Sequence, residues 1–144
     1  MLILLSMAAY GICMPMDSFC VSGRCGDWPS WSVLLLGWLE TLSIRDVGPF
    51  VAVSWYANGL LFLSWAGFWM QNRRWSAICG AGAAAASLSF LLGKNVVSNE
   101  GGVAAPITGV AAGYWLWVGS ALLALLSGLY RGHREAALSG RGHR

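Results

Sequence analysis

The cysteines are the first residues in this chain whose spacing suggests chemistry. Cys20 and Cys25 flank Val-Ser-Gly-Arg, and Gly23 lets the backbone turn tightly enough for the two sulfurs to meet. In an oxidising compartment this spacing predicts a structural disulfide. A sharper possibility is thiol exchange with a quinone or another protein, which needs a reactive thiol, commonly in Cys-x-x-Cys, and a relay to a second pair. Cys13 and Cys79 stand in separate apolar runs and offer no such relay. The histidines, His133 and His143, both belong to a duplicated Arg-Gly-His-Arg at 131–134 and 141–144, outside every apolar run. Haem held between membrane helices takes axial ligands from the helices themselves, and a metal site needs more ligands than this tail carries. No catalytic residue, cofactor or metal is therefore expected.

Acids and polar groups inside apolar runs are the next candidates, because an ionisable group in hydrocarbon usually marks a proton or substrate path. Glu40 is the one acid embedded in such a run, and on a helix lying in the interface it can face headgroup water. Ser54 and Asn58 share a helix face with Leu61 and Trp65. Asn58 is costly to leave unpaired in lipid, so it is expected to bond a neighbouring helix. No Gly-rich phosphate loop, His-Glu-x-x-His or Ser-His pairing is evident, which disfavours hydrolytic chemistry.

The elements that must position these groups follow from composition. Of 144 residues 57% are hydrophobic and 10% charged, with nine Trp and a net charge of +3. A soluble domain carries about 25% charged residues, so the chain belongs in a bilayer and has no separate soluble domain. No feature suggests a nucleic-acid partner. Four spans are expected, at about 2–16, 47–70, 75–93 and 110–130, with a fourteen-residue interfacial or re-entrant helix at 31–44. The run at 2–16 is short for a span. It is read as an uncleaved anchor, because no Lys or Arg precedes it and bulky Ile12 stands before Cys13 where a lipoprotein signal needs a small residue. Gly, Asn and Pro make 94–109 a loop, and 131–144 is expected to be a flexible basic tail.

Six of the nine basic residues fall in the Arg73-Arg74 turn and in the tail with Arg131, Arg134, Arg141 and Arg144. Cytoplasmic segments are enriched in Lys and Arg, so both are placed inside, with the N-terminus beside them and 17–46 and 94–109 outside. Trp69 and Trp75 flank the Arg73-Arg74 turn and Tyr130 precedes Arg131, as interface anchors do. Trp28, Trp31 and Trp38 would mark the opposite face, with Trp115 and Trp117 near it. Gly80 with Ala84, and Gly82 with Ala86, form small-residue faces. Gly109 and Gly113 offer a matching pair, so the last two spans are expected to pack as a tight hairpin.

Two stretches, Trp55-Tyr-Ala-Asn-Gly-Leu60 and Gly113-Tyr-Trp-Leu-Trp117, resemble patterns in uncharacterised small bacterial inner-membrane proteins. The resemblance covers about residues 31–130, and Gly59 departs from the Pro of that pattern, removing a helix break. It carries no assigned activity. The expectation is thus an all-α integral membrane protein of the bacterial inner membrane. It would act without catalysis as an accessory, interaction or immunity-type subunit, its partners being the lipid bilayer and another membrane protein or further copies of itself. The alternatives are an oligomeric transporter or channel with Ser54, Asn58 and Tyr114 around a polar path, and a thiol oxidoreductase using Cys20 and Cys25.

Overall fold

The computed structural model describes residues 1–42, 48–97 and 103–139, with the side chains of 40, 41 and 131–139 outside that description. Its helices are α1 (Leu2–Cys13), α2 (Ser30–Leu36) continued by a 3-10 turn at Gly37–Thr41, α3 (Pro49–Trp69), α4 (Arg73–Ser89) continued by a 3-10 turn at Phe90–Leu92, and α5 (Ala112–Ser139). Three strands join them: β1 (Phe19–Val21), β2 (Asn95–Val97) and β3 (Ala104–Val110). Three helical stretches, Pro49–Trp69, Arg73–Leu92 and Ala112–Tyr130, are long and apolar enough to cross a membrane. At 1.5 Å per residue each rises about 30 Å, the thickness of the hydrocarbon layer. The twelve residues of α1 rise about 18 Å.

Local sequence explains where these elements begin and end. Gly48 supplies a φ of 85° ahead of Pro49, whose missing N–H costs nothing in the first turn of α3. At its far end Gln71 takes a φ of 59°, the Asn72 N–H bonds the Gly67 carbonyl at 2.9 Å and the Gln71 N–H bonds Phe68 at 3.1 Å. This Schellman arrangement closes α3. The Asn72 side chain then accepts from the Trp75 N–H at 3.2 Å, so α4 starts at Arg73, two residues before the apolar run does. Gly67 makes the turn this tight, since a Cβ there would stand 3.0 Å from the Ser76 backbone nitrogen.

The fold is not purely helical. β3 lies between β1 and β2 in a small antiparallel sheet, pairing Phe19 with Val110 and Val96 with Ala105. The segment expected to be a loop therefore contributes two strands. Gly and Pro misled the reading: Pro106 lies in the central strand beside a register shift between Cys20 and Val21, where a missing N–H is tolerated. Residues 98–102 lie outside the described set, as do 43–47 with Arg45 and Asp46. The last helix also outruns its expected end at Tyr130 and continues to Ser139, so 131–139 are helical rather than a loose tail. Residues 140–144 are outside the description.

In the bundle α4 packs between α3 and α5, and α1 lies along α5. The chain passes up α1, down α3, up α4 and down α5, with the sheet and α2 at one end. Met1, the Arg73–Arg74 turn and the distal part of α5 share the other. Charged side chains follow suit: Asp17, Arg24, Asp27 and Lys94 lie at the sheet end and Arg73 and Arg74 at the opposite one.

The last two spans pack against each other at Gly80 on α4 and at Gly128, not Gly109 or Gly113, on α5. A Cβ on Gly80 would stand 2.8 Å from the Leu125 backbone, and one on Gly128 would stand 2.9 Å from Ala77 N, so these glycines set the α4–α5 approach. Gly82 instead faces Leu60 of α3. Gly109 lies in β3, not on the last span. Gly113 abuts the N-terminal segment, where its Cβ would meet the Asp17 carbonyl oxygen at 2.5 Å. Ala84 and Ala86 are buried.

Candidate functional site

Beneath the sheet, two apolar clusters meet. The upper one gathers Phe19, Val21, Val51, Phe90, Val96, Tyr114 and Val118 around the strands. The lower one, Ile3, Tyr10, Leu61, Ala83, Ala84, Ala121 and Ala124, fills the middle of the bundle with mostly small side chains. Between the upper cluster and α2 lies a cavity of about 360 Å³. Volumes of roughly 300–1,000 Å³ are typical of small-molecule sites.

Each wall of the cavity traces to a local cause. Pro29 ends the extended chain and starts α2, and the Ser30 hydroxyl donates to the Met16 carbonyl at 2.9 Å while sharing a 2.7 Å bond with Ser18. This ties α2 to the end of α1. On its other side the Trp55 indole N–H donates to the Leu34 carbonyl at 3.0 Å, and the ring lies where a Cβ on Gly37 would be only 2.6 Å from its Cδ1. A side chain at Gly37 would push α2 off α3. Val33, Leu34, Leu36 and Leu39 line the resulting wall, while Trp31, Leu35 and Trp38 point outward from it.

The deep end is polar and ordered. Asn58 Oδ1 accepts from the Tyr10 hydroxyl at 3.1 Å and from the Trp117 indole N–H at 3.0 Å, and its Nδ2 donates to the Trp55 carbonyl at 3.1 Å. One amide thus joins α1, α3 and α5. Ser54 donates to Val51 O at 2.7 Å and Tyr114 donates to Ser87 O at 3.0 Å, and both line the cavity with Asn58. The two stretches Trp55–Leu60 and Gly113–Trp117 therefore meet here, through the Trp117–Asn58 bond. Trp117 is no interface anchor: its indole turns inward, whereas Trp115 points out. Trp28 likewise stacks on Phe19, with ring centroids 5.7 Å apart, rather than marking the surface.

Further from the sheet, several polar groups bond between helices. Trp65 donates to Ser6 at 2.9 Å, Ser6 to the Ser120 carbonyl at 2.7 Å, and Ser64 to the Ser76 carbonyl at 2.8 Å. The Ser76 and Ser120 hydroxyls are buried without a hydrogen-bond partner.

Above the cavity Cys20 and Cys25 form a disulfide, with Cα atoms 4.3 Å apart. Ser22 and Gly23, at φ 51° and 80°, turn the chain as a two-residue hairpin, and Val21 and Arg24 exchange backbone bonds of 2.9 and 3.0 Å. Cys13 and Cys79 are free and buried; the Cys13 thiol lies against the Tyr10 carbonyl at 3.0 Å. Among the described residues no three His, Cys, Asp or Glu side chains cluster as a metal site.

Trp69 and Trp75 are exposed at the Arg73–Arg74 turn, as interface anchors would be. The side chains of Glu40, Arg131, Arg134 and His133 lie outside the described set, as does His143. The cavity itself was not legible in the sequence, because its lining comes from α1, α2, α3, α5 and the sheet. The available signal was the set of polar and aromatic residues scattered through apolar runs: Ser30, Ser54, Asn58, Tyr114 and Trp117. No family model, curated protein or solved structure matches this chain.

Proposed function

We propose that the chain is a small four-span protein of the bacterial inner membrane that works without catalysis of its own, as an accessory or immunity-type component contacting a partner protein or further copies of itself. The supporting observation is how the polar groups are used. Asn58, Tyr10 and Trp117 bond one another, as do Ser6 and Trp65, whereas large apolar side chains such as Phe62, Ile78 and Leu126 face outward. An interior arranged this way holds helices together. The basic Arg73–Arg74 turn and both chain ends are placed in the cytoplasm, with the disulfide-closed sheet outside.

Two experiments test this reading. Alkaline phosphatase fused after residue 102 is expected to be active, and after residues 72 and 144 inactive; the reverse pattern overturns the orientation. A photoreactive side chain at Phe62, Ile78 or Leu126 is expected to give a discrete protein adduct in native membranes. Lipid adducts alone at all three positions would remove the interaction role.

A second reading has its own support. Ser54, Asn58 and Tyr114 share one cavity, as a polar transport path built by oligomerisation would require. Proteoliposomes that pass no ions or small solutes at any protein density would exclude it.

A further inference from the structure

The cavity's chemistry says what it can hold. Its walls are mainly Phe19, Trp28, Val33, Leu34, Val51, Trp55 and similar side chains, and among the described residues no Asp, Glu, Lys, Arg or His lines it. A charged group drawn into such a space would lose its hydration with no counter-ion to replace it. Yet the deep end is not inert. Asn58 carries four hydrogen-bonding positions, two on oxygen and two on nitrogen, and three are engaged by Tyr10, Trp117 and Trp55. The second Nδ2–H remains. Ser54 and Tyr114 each donate to a carbonyl and keep their lone pairs. One unengaged donor and two hydroxyl acceptors therefore line the buried side of a mainly apolar chamber, whose other hydroxyls, Ser18, Ser30 and Ser32, are tied to one another or to backbone carbonyls.

The wall formed by α2 bears on how a ligand arrives. Leu36 and Leu39 line the cavity and are also exposed, at 53% and 42%, on a segment whose outer side carries Trp31, Leu35 and Trp38. In the membrane reading above, on which this inference rests, that outer side lies against lipid near the external interface. The mouth thus faces a reservoir of hydrocarbon chains.

We infer that this cavity binds a neutral amphiphile, a slender hydrocarbon or isoprenoid body ending in one uncharged hydroxyl or carbonyl, with that end hydrogen-bonded at Asn58, Ser54 and Tyr114. A hydroxyl fits best, since it both accepts from the Asn58 amide and donates to a hydroxyl lone pair. A carbonyl uses the amide alone. Charged amphiphiles of the same length are rejected because the polar end is deep and uncharged.

The test is photolabelling of the full chain in lipid nanodiscs with three diazirine-bearing twelve-carbon probes that differ only in the end group: alcohol, carboxylate and trimethylammonium. The alcohol is expected to label peptides containing Trp28, Val33 or Trp55 about tenfold over those containing Leu126 or Leu129, a difference of about 1.4 kcal/mol. Unlabelled farnesol should compete, and the charged probes should label all these peptides alike. Ser54→Phe fills the deep end and should abolish the excess. Leu39→Trp narrows the exposed mouth without entering the packed core, so it should lower the excess even if Ser54→Phe fails to fold. Even labelling by the alcohol across cavity and lipid-facing peptides, or equal cavity labelling by the carboxylate, overturns the inference. If labelling fails while the phosphatase fusions and protein adducts come out as expected, the ligand is lost and the membrane component stands.

Discussion

The same helices are packed in two ways along their length. In the half remote from the sheet, Gly80, Gly128, Ala83, Ala121 and Ala124 let backbones approach closely, and these small residues are buried or abut the neighbouring helix. In the half beneath the sheet, Phe19, Trp28, Phe90, Tyr114 and Trp117 hold the elements apart and leave a cavity of about 360 Å³. Lipid is as apolar as leucine, so helices in a membrane associate through close packing and hydrogen bonds rather than through escape from water. Small residues supply the first in one half. The second half relies on the Asn58 junction, the strand pairing and the disulfide. A hollow region is tolerable there because stability comes from these ties and not from filled volume.

Four sets of substitutions probe this contrast, beginning with the most damaging. Gly80→Val forces side-chain atoms against the Leu125 backbone and is expected to cost about 3 kcal/mol, read as loss of helical signal on thermal unfolding in detergent. Gly119→Val, on α5 where a Cβ meets nothing within 4 Å, should leave the transition within error. If both are equally tolerated, the remote half is not held by backbone approach.

Replacing Cys20 and Cys25 together by Ser is expected to cost about 2 kcal/mol and to act locally. Amide exchange should accelerate in β1 and β3 and stay unchanged in α4. Uniform acceleration would show that the cap and bundle form one cooperative unit.

Asn58→Ala leaves the Tyr10 hydroxyl and Trp117 indole without their acceptor and should cost about 1–2 kcal/mol. Asn58→Asp keeps an acceptor for both, so when protonated it should retain more stability than Asn58→Ala. An alanine variant as stable as the parent would remove the junction from the account. The smallest effect is expected at the far turn, where Gln71→Gly relieves a φ of 59° and should stabilise by about 0.5–1 kcal/mol, seen as a higher midpoint in the same unfolding measurement.

Much of the remote half is legible in the sequence. Runs of small residues at helical spacing and the basic turn each act through local geometry, so Gly80 is recognisable as a packing residue before any partner is known. Its partner is not. Gly109 and Gly113 have the right spacing on paper, but β3 claims the first and the turn after α1 claims the second. Glycine marks a close approach without saying to what. The sheet was missed for a related reason: Pro106 and the surrounding glycines read as loop, and only pairing with β1 and β2 gives that backbone its hydrogen bonds.

Composition and charge placement by themselves determined that this chain has helices fit for a bilayer. No charged residue falls within 49–69, 75–92 or 112–130, where each would cost about 2.5–3.5 kcal/mol on insertion. The Cys20–Cys25 spacing determined a ring that could close. Tertiary structure alone decided that Trp117 turns inward to Asn58, that α2 folds over Trp55, and that a mainly apolar chamber lies between them. Those outcomes depend on which helix faces meet across long stretches of chain, and spacing within one helix carries no record of the neighbour it will find.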